Sequence, residues 1–208
     1  MTEDEAMGVI AERVSRETMN RLSDYATLLI KWQSRINLIA RSTSAQIWSR
    51  HMLDSAQLLD HIPEKCAYWL DLGSGGGFPG LVCAAIAHEH HPEVQFALVE
   101  ADQRKATFLR EASRHMGLSV EVHNCRILDL APQYADVISA RALAPLAKLC
   151  EMAHIHLAPA GICLFPKGAR HADEYAAASK DWLFAHDLMP SVTETDAAVL
   201  KIKELRHV

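Results

Sequence analysis

The sequence predicts an α/β fold: a mostly parallel seven-stranded sheet with helices on both faces, preceded by a helical N-terminal extension. Three observations predict it. From residue 68 onward, short apolar runs alternate with segments of helical periodicity, the pattern of parallel strands joined by crossover helices. One apolar run, Trp69-Leu70-Asp71-Leu72, ends in an acid. It is followed by five glycines within eight residues, Gly73 to Gly80, and then by an apolar helix start at Leu81-Val82. Two final apolar segments stand close enough to pair with each other, which suits a sheet whose last strand is antiparallel.

The elements follow in order. Residues 4 to 13 suit a short first helix. Ser15 reads as the N-cap of a second. There Met19, Leu22, Tyr25, Leu29, Trp32 and Ile36 recur at helical spacing, with an end near Ser34 or Arg35. Asn37-Leu38-Ile39-Ala40 is a connector. A third helix is expected from after Ser44 to about Asp60, before Pro63, with His51 and Asp54 on one face. Strand one is Tyr68 to Leu72, and a helix from Pro79 or Gly80 to His88 follows, with Pro79 suited to its first position. Residues 94 to 100 form strand two, and residues 102 to 116 a helix stopped by Gly117. Strands three, four and five are residues 119–123, 136–139 and 162–165, with a helix over 145–156. Residues 171–185 read as helical, and 188–193 and 198–203 as the closing strands.

The 208 residues, half of them hydrophobic, suit a single domain: a helical extension over 1–64 and a nucleotide-binding core over 65–208. There is no run of ~18 apolar residues, so no membrane span is expected. The acidic start Met1-Thr2-Glu3-Asp4-Glu5 argues against a signal or transit peptide. Five cysteines lie far apart without a CxxC pair and read as reduced thiols of a cytosolic protein. The formal net charge of −5 excludes a nonspecific polycation. Yet Arg13, Arg16, Arg21, Lys31, Arg35, Arg41 and Arg50 concentrate before the core, which leaves room for a local basic face as well as for a plain solvated one.

The glycine turn is a small-molecule site, because glycines admit close approach to the backbone and the helix start offers free N–H groups. Gly75-x-Gly77-x-x-Gly80 alone fits a dinucleotide fingerprint. Asp71-x-Gly73-x-Gly75-x-Gly77 fits the nucleoside-binding turn of class I S-adenosylmethionine-dependent methyltransferases, with a Rossmann-like core. Asp71 is expected to orient that loop or to meet the ammonium of a methionine moiety. Glu100 closes strand two ~20 residues after the last glycine, where a ribose-binding carboxylate belongs. Ile127 and Leu128, after strand three, stand where such enzymes bracket the adenine.

Strand four delivers Val137-Ile138-Ser139-Ala140-Arg141-Ala142. It lacks the Asn-Pro-Pro-Tyr run that holds an exocyclic amine, and the Pro-Cys nucleophile that attacks a ring carbon. A ring nitrogen with its own lone pair, such as guanine N7, needs neither; it needs alignment with the methyl group. Arg141 is the candidate catalytic residue, able to hold guanine O6 or a phosphate in fork geometry. His88, His90 and His91 cluster before Pro92 without a completing ligand pattern, so no metal is expected. Ser139 lacks a Gly-x-Ser-x-Gly frame, so a hydrolase triad is unsupported.

The chain resembles the bacterial small-subunit rRNA guanine-N7 methyltransferase family known as RsmG or glucose-inhibited division protein B. The carrying segments are Trp32 to Ala40, Arg50-His51-Met52-Leu53-Asp54-Ser55, Leu70 to Gly80, Ile138 to Ala142 and Lys167-Gly168. The resemblance implies methyl transfer from S-adenosylmethionine to N7 of one guanine in the decoding region of 16S rRNA. A cytoplasmic protein, acting as a monomer, is the separate expectation. The resemblance also implies cofactor contacts from Gly73, Phe78, Ile127, Leu128 and Arg141, beside Asp71, Gly75, Gly77 and Glu100. Asn37, Arg50, His51 and Lys167 match positions near the RNA-facing side. Glu100 stands where many members carry aspartate. Gly76 stands where proline is often found, which predicts a looser turn. The competing readings are a small-molecule methyltransferase, with the N-terminal helices as a lid, and a dinucleotide-dependent oxidoreductase, for which the chain lacks a substrate domain.

Overall fold

The computed structural model describes all of residues 1–208. The extension begins with α1, Glu3–Ala11, started by a Thr2/Glu5 capping box, and α2, Arg16–Gln33, capped by the Ser15 hydroxyl. The expected third helix is helical but not regular. A π-helical turn, Trp48–Leu53, runs into a short α3, Asp54–Ala56, and a 3-10 turn, Gln57–His61. Such irregular turns re-aim side chains relative to a uniform helix.

The core alternates β1 (Tyr68–Leu72), α4 (Gly80–His90), β2 (Gln95–Val99), α5 (Gln103–His115), β3 (Val120–His123), β4 (Ala135–Ser139), α6 (Leu146–His156) and β5 (Leu157–Lys167). Then come α7 (His171–Ala178), β6 (Trp182–Pro190) and β7 (Ala198–His207). The seven strands lie in the order β3-β2-β1-β4-β5-β7-β6. All neighbours are parallel except β7, which runs antiparallel to β5 and β6. The order reverses direction beside β1, so the carboxyl ends of β1 and β4 border the crevice where α/β sheets bind ligands.

Three expectations move. Pro79 is the N-cap of α4 rather than its first residue. The helix expected over 171–185 stops at Ala178, because Trp182 and its successors pair with β7 from Trp182↔His207 onward. Strand five is longer than expected, beginning at Leu157 with an irregularity opposite Ala135 and Val137.

The extension does not hang off the core. Leu22, Tyr25, Leu29, Met52 and Leu53 share one buried cluster with Phe78, Leu81, Val82, Leu98 and Phe108. Tyr25 stacks near Phe78 (5.5 Å) and Phe108 (6.4 Å). Burying such aromatics contributes on the order of 2 kcal/mol each, so α2 and the glycine turn are set against one another by packing.

Candidate active site

A cleft of about 890 Å³ opens at the carboxyl ends of β1, β2 and β4. Its first half is walled by Gly73 to Gly76, Phe78, Val99 to Ala101, Cys125 to Leu128 and Met152. The second half is walled by Thr43, Arg50, His51, Asp54, Arg141 to Ala144, Lys167 and the turn around Thr193 and Glu194.

The first half is built from backbone. Gly73 and Gly75 have φ of +64° and +54°, a conformation L side chains adopt only under strain. A Cβ on Gly73 would stand 2.5 Å from Leu143, whereas one on Gly75 would project into nearly open space, where a ligand would approach. Gly75 N–H donates to Glu100 Oε2 (2.9 Å) and Asp102 N–H donates to Oε1 (2.8 Å). The Glu100 carboxylate is thus clamped between the turn and the start of α5, with lone pairs left for ribose hydroxyls. Ile127 and Leu128 lie in a single 3-10 turn on the opposite wall. Leu128 is 43 % exposed, an apolar side chain available to a flat ring.

Asp71 and Gly77 do not line the cleft. Asp71 is fully buried beneath the turn, where Oδ1 accepts from Ser139 Oγ (2.6 Å). Ser139 Oγ in turn accepts from Trp69 Nε1 (2.9 Å). Oδ2 faces the start of α4 without a partner of hydrogen-bond geometry, and burial pushes the carboxyl pKa up to about 6. The carboxylate therefore lies beneath the loop, out of the cleft, in the place that suits orienting the turn rather than meeting a ligand's ammonium. Gly77 is glycine for packing: a Cβ there would meet the Tyr25 hydroxyl at 2.5 Å and Leu81 at 2.7 Å. Nor is the turn loose at Gly76. Its carbonyl accepts the Tyr25 hydroxyl, and a Cβ would press on the Leu38 carbonyl at 3.0 Å.

The second half is built from side chains. Arg141 Nη1 donates to the Arg50 carbonyl (2.8 Å) and to Asp54 Oδ2 (3.3 Å), and Nη2 donates to His51 Nδ1 (2.6 Å). Its guanidinium lies 5.1 Å from the Phe78 ring centre, and the His51 ring packs on the same Phe78 at 4.9 Å. Ala142 has φ +52°, a strained turn that presents Arg141 to the cleft. His51 is not exposed to a substrate phosphate. It is 7 % exposed, and burial with the Arg141 and Arg50 cations pulls its pKa down to about 3.

The remaining expected RNA contacts are dispersed. Lys167 is buried, and its ammonium is held by Glu174 Oε2 (2.7 Å), which also accepts from Leu146 N–H (3.0 Å). It braces α6 and α7 rather than meeting a phosphate. Asn37 is exposed but off the cleft, beside Gln33 Nε2 (3.4 Å). Arg50 stands at the rim, paired with Glu194. Arg13 pairs with Asp60 and Arg21 with Glu17, while Arg16, Lys31, Arg35 and Arg41 stay exposed.

Sequence reasoning missed several residues. Gln33 Oε1 accepts from Leu38 and Ile39 N–H (2.8 and 3.0 Å) and Nε2 donates to the Ile39 carbonyl (2.8 Å), fixing the connector over Gly76. Thr43, Tyr25 and Thr193 were also unmarked. Gln33 stood beside Trp32 at the end of a strongly periodic helix; nothing local signals partners five and six residues on.

Fold and cleft together define an S-adenosylmethionine-dependent methyltransferase, with a glycine turn, a strand-end carboxylate and an apolar wall for the nucleoside. The model of the family described as rRNA small subunit methyltransferase G (GidB) matches residues 18–202, and the chain belongs to that family. It is 57 % identical to Ribosomal RNA small subunit methyltransferase G of Cereibacter sphaeroides (strain ATCC 17025 / ATH 2.4.3), over the whole of both chains. It is 49 % identical to the protein of that name from Jannaschia sp. (strain CCS1), over 98 % of this chain and 96 % of the relative. Among solved structures, the ribosomal protein L11 methylase of Lactobacillus delbrueckii subsp. bulgaricus superimposes with a TM-score of 0.58 at 16 % identity. It covers 74 % of this chain and 78 % of its own, a likeness of fold.

Proposed function

We propose that this chain methylates N7 of one guanine in the decoding region of 16S rRNA. S-adenosylmethionine supplies an electrophilic methyl group when bound. Gly73, Gly75, Glu100, Phe78, Ile127 and Leu128 would hold its nucleoside end. The donor set fits that group: exposed backbone at Gly75, a carboxylate for vicinal hydroxyls, and an apolar wall for a ring.

The observation that carries the N7 reading is the absence of a free base in the second half of the cleft. His51 Nδ1 is occupied by Arg141, Asp54 accepts from Arg141, Gln57 and Thr193, Glu174 holds Lys167, and Glu194 holds Arg50. No cysteine stands in the loop directly after β4, Ala140 to Pro145. An acceptor that must lose a proton before attack finds no group to take it. A lone-pair nitrogen needs only alignment, which Arg141 supplies through the N–H groups not bound to Arg50, His51 and Asp54. Contact with guanine O6, a phosphate or the cofactor's carboxylate would all use that guanidinium.

The exposed Arg16, Lys31, Arg35 and Arg41, with Arg50 at the rim, would meet RNA phosphates. We read residues 1–208 as one domain, because the extension and the core share a single buried cluster. A cleft complete within one chain supports a monomer, acting in the cytoplasm where rRNA is processed. No helix is long and apolar enough to cross a membrane. The test is mapping of 7-methylguanine in 16S rRNA from cells with and without this protein. A guanine unmodified only in the deleted strain is expected; an unchanged map would refute the assignment.

A further inference from the structure

Arg141 is held by a chain of hydrogen bonds that leads out of the core and into the connector before the π-helical turn. An arginine N–H can only donate, so His51 Nδ1 at 2.6 Å from Nη2 must be an unprotonated acceptor. In a neutral ring the proton then sits on Nε2, which lies 2.9 Å from Thr43 Oγ1. The Thr43 hydroxyl donates onward to the Ala40 carbonyl at 3.0 Å. Every link runs in one direction: Arg141 to His51, His51 to Thr43, Thr43 to Ala40.

The ring has no other partner to set its tautomer. Phe78 packs on its face, and the nearby charges, Arg141 and Arg50, are both cations. A proton on Nδ1 would point at the guanidinium and drive it away. Thr43 itself lines the cleft, and the connector carrying it passes over the glycine turn, with the Leu38 carbonyl beside Gly76.

We propose that Thr43 is a positioning residue for methyl transfer: by accepting from His51 Nε2 it holds the ring in one tautomer, and the ring thereby fixes the orientation of Arg141. The proposal rests on the reading of Arg141 given above. It makes the 3-10 turn that follows the connector, Arg41–Thr43, a part of the second half of the cleft, while the connector itself covers the glycine turn.

The test is Thr43→Val, which keeps the side-chain shape and removes only the hydroxyl, with Thr43→Ser as the conservative rescue. The ring nitrogens of His51 are read by 15N-detected NMR of the whole protein at neutral pH. Wild type and Thr43→Ser are expected to show one neutral form, protonated on Nε2. Thr43→Val is expected to show a mixture with the Nδ1-protonated form. Its kcat on rRNA substrate should fall by about 10- to 100-fold, as for loss of a group that orients a reacting residue. Its affinity for S-adenosylhomocysteine should stay within about twofold, since the nucleoside wall is untouched.

A single Nε2-protonated form in Thr43→Val, or a wild-type kcat, overturns the proposal. A lower melting temperature with the tautomer intact assigns Thr43 a merely structural role and also overturns it. Arg141→Ala separates this from the parent reading. If it retains activity, the role of Arg141 fails; if it is inactive while Thr43→Val is fully active, only the relay fails.

Discussion

In the half of the cleft read as the nucleoside site, the wall is glycine backbone, one carboxylate and a few apolar side chains, drawn from the turn after β1, the end of β2 and the turn after β3. In the reaction half, it is side chains held by other side chains. Arg141 meets Arg50, His51 and Asp54 across about ninety positions of chain, at separations of 91, 90 and 87 residues. The first half is the more local construction, its Gly75–Glu100 bond spanning 25 residues of chain. The second exists only once the extension has docked on the core. Damage to the first should therefore appear as lost ligand binding, and damage to the second as lost turnover with binding retained.

Arg141→Ala is the strongest way to break the comparison. Methyl transfer should fall by about 10²-fold or more through lost alignment, and cofactor affinity measured alongside tells contact with the cofactor's carboxylate (affinity lost) from contact with the RNA (affinity kept). Arg141→Lys should rescue poorly, because an ammonium cannot serve two acceptors and a ring in fork geometry. The alanine variant also leaves Asp54 and the Arg50 carbonyl short of a donor. A stability loss of about 1–3 kcal/mol, measured by urea titration, should accompany it. The guanidinium is thus a fastener of the extension, beside the aligning role proposed for it.

Gly75→Val tests the other half. A branched side chain at φ +54° is strained by roughly 1–3 kcal/mol, and it would fill the ligand's approach to the turn. Calorimetry should show S-adenosylhomocysteine binding abolished, and NAD binding absent in wild type and variant alike. Tight NAD binding by the wild type would reverse the cofactor assignment.

Tyr25→Phe sharpens the boundary between the halves. It removes the buried hydroxyl that donates to the Gly76 carbonyl and leaves ring packing intact. A loss of about 1–2 kcal/mol of stability is expected. A weakening of cofactor binding should follow, although Tyr25 touches no ligand itself.

His51 in the second half and Asp71 beneath the glycine turn also respond to acid in opposite directions. His51 is held neutral in the fold, with a pKa of about 3 against 6.5 in the unfolded chain. The unfolded state therefore binds more protons between those values, and the contribution of His51 is complete above pH 6.5 and lost as pH falls toward 3. Asp71 has a raised pKa of about 6 against 3.8, so its stabilising neutral form is lost as pH rises through that window. Between pH 4 and 6 the slopes oppose. Denaturant titrations across that range should show a steeper rise of stability with pH in Asp71→Asn, and a flatter one in His51→Gln. Equal slopes in all three proteins would contradict both pKa shifts.

The last comparison is the response to salt. If Arg16, Lys31, Arg35, Arg41 and Arg50 meet phosphates, activity on RNA should weaken steeply with added salt, while cofactor affinity changes little. A salt-insensitive reaction would favour a small-molecule substrate and make the basic extension a solvated face.

What could be read ahead of the structure follows the same division. Strand β1 was legible to the residue, and Ser15, Gly117 and the glycine turn marked their own positions, because capping, positive φ and period depend on neighbours in sequence. The helix expected over 171–185 was misjudged at its end, since Trp182 is drawn into β6 by pairing with His207, and no local pattern records a partner 25 residues away. Lys167 looked like a free cation because its anion, Glu174, is a contact visible only after α7 folds back.

By itself, the sequence determined the alternating fold, the nucleoside turn and the arginine at the end of strand four, all of which follow from backbone propensities and short-range spacing. Only the tertiary structure decided that Asp71 lies under the turn rather than in the site, that His51 is a buried acceptor, that Thr43 lines the cleft and that Gln33 fixes the connector beside it. The physical reason is that each of those roles is set by burial and by a hydrogen-bond partner. Which atoms lose water, and which donor faces which acceptor, is fixed when α2 and the π-helical turn close over the glycine turn.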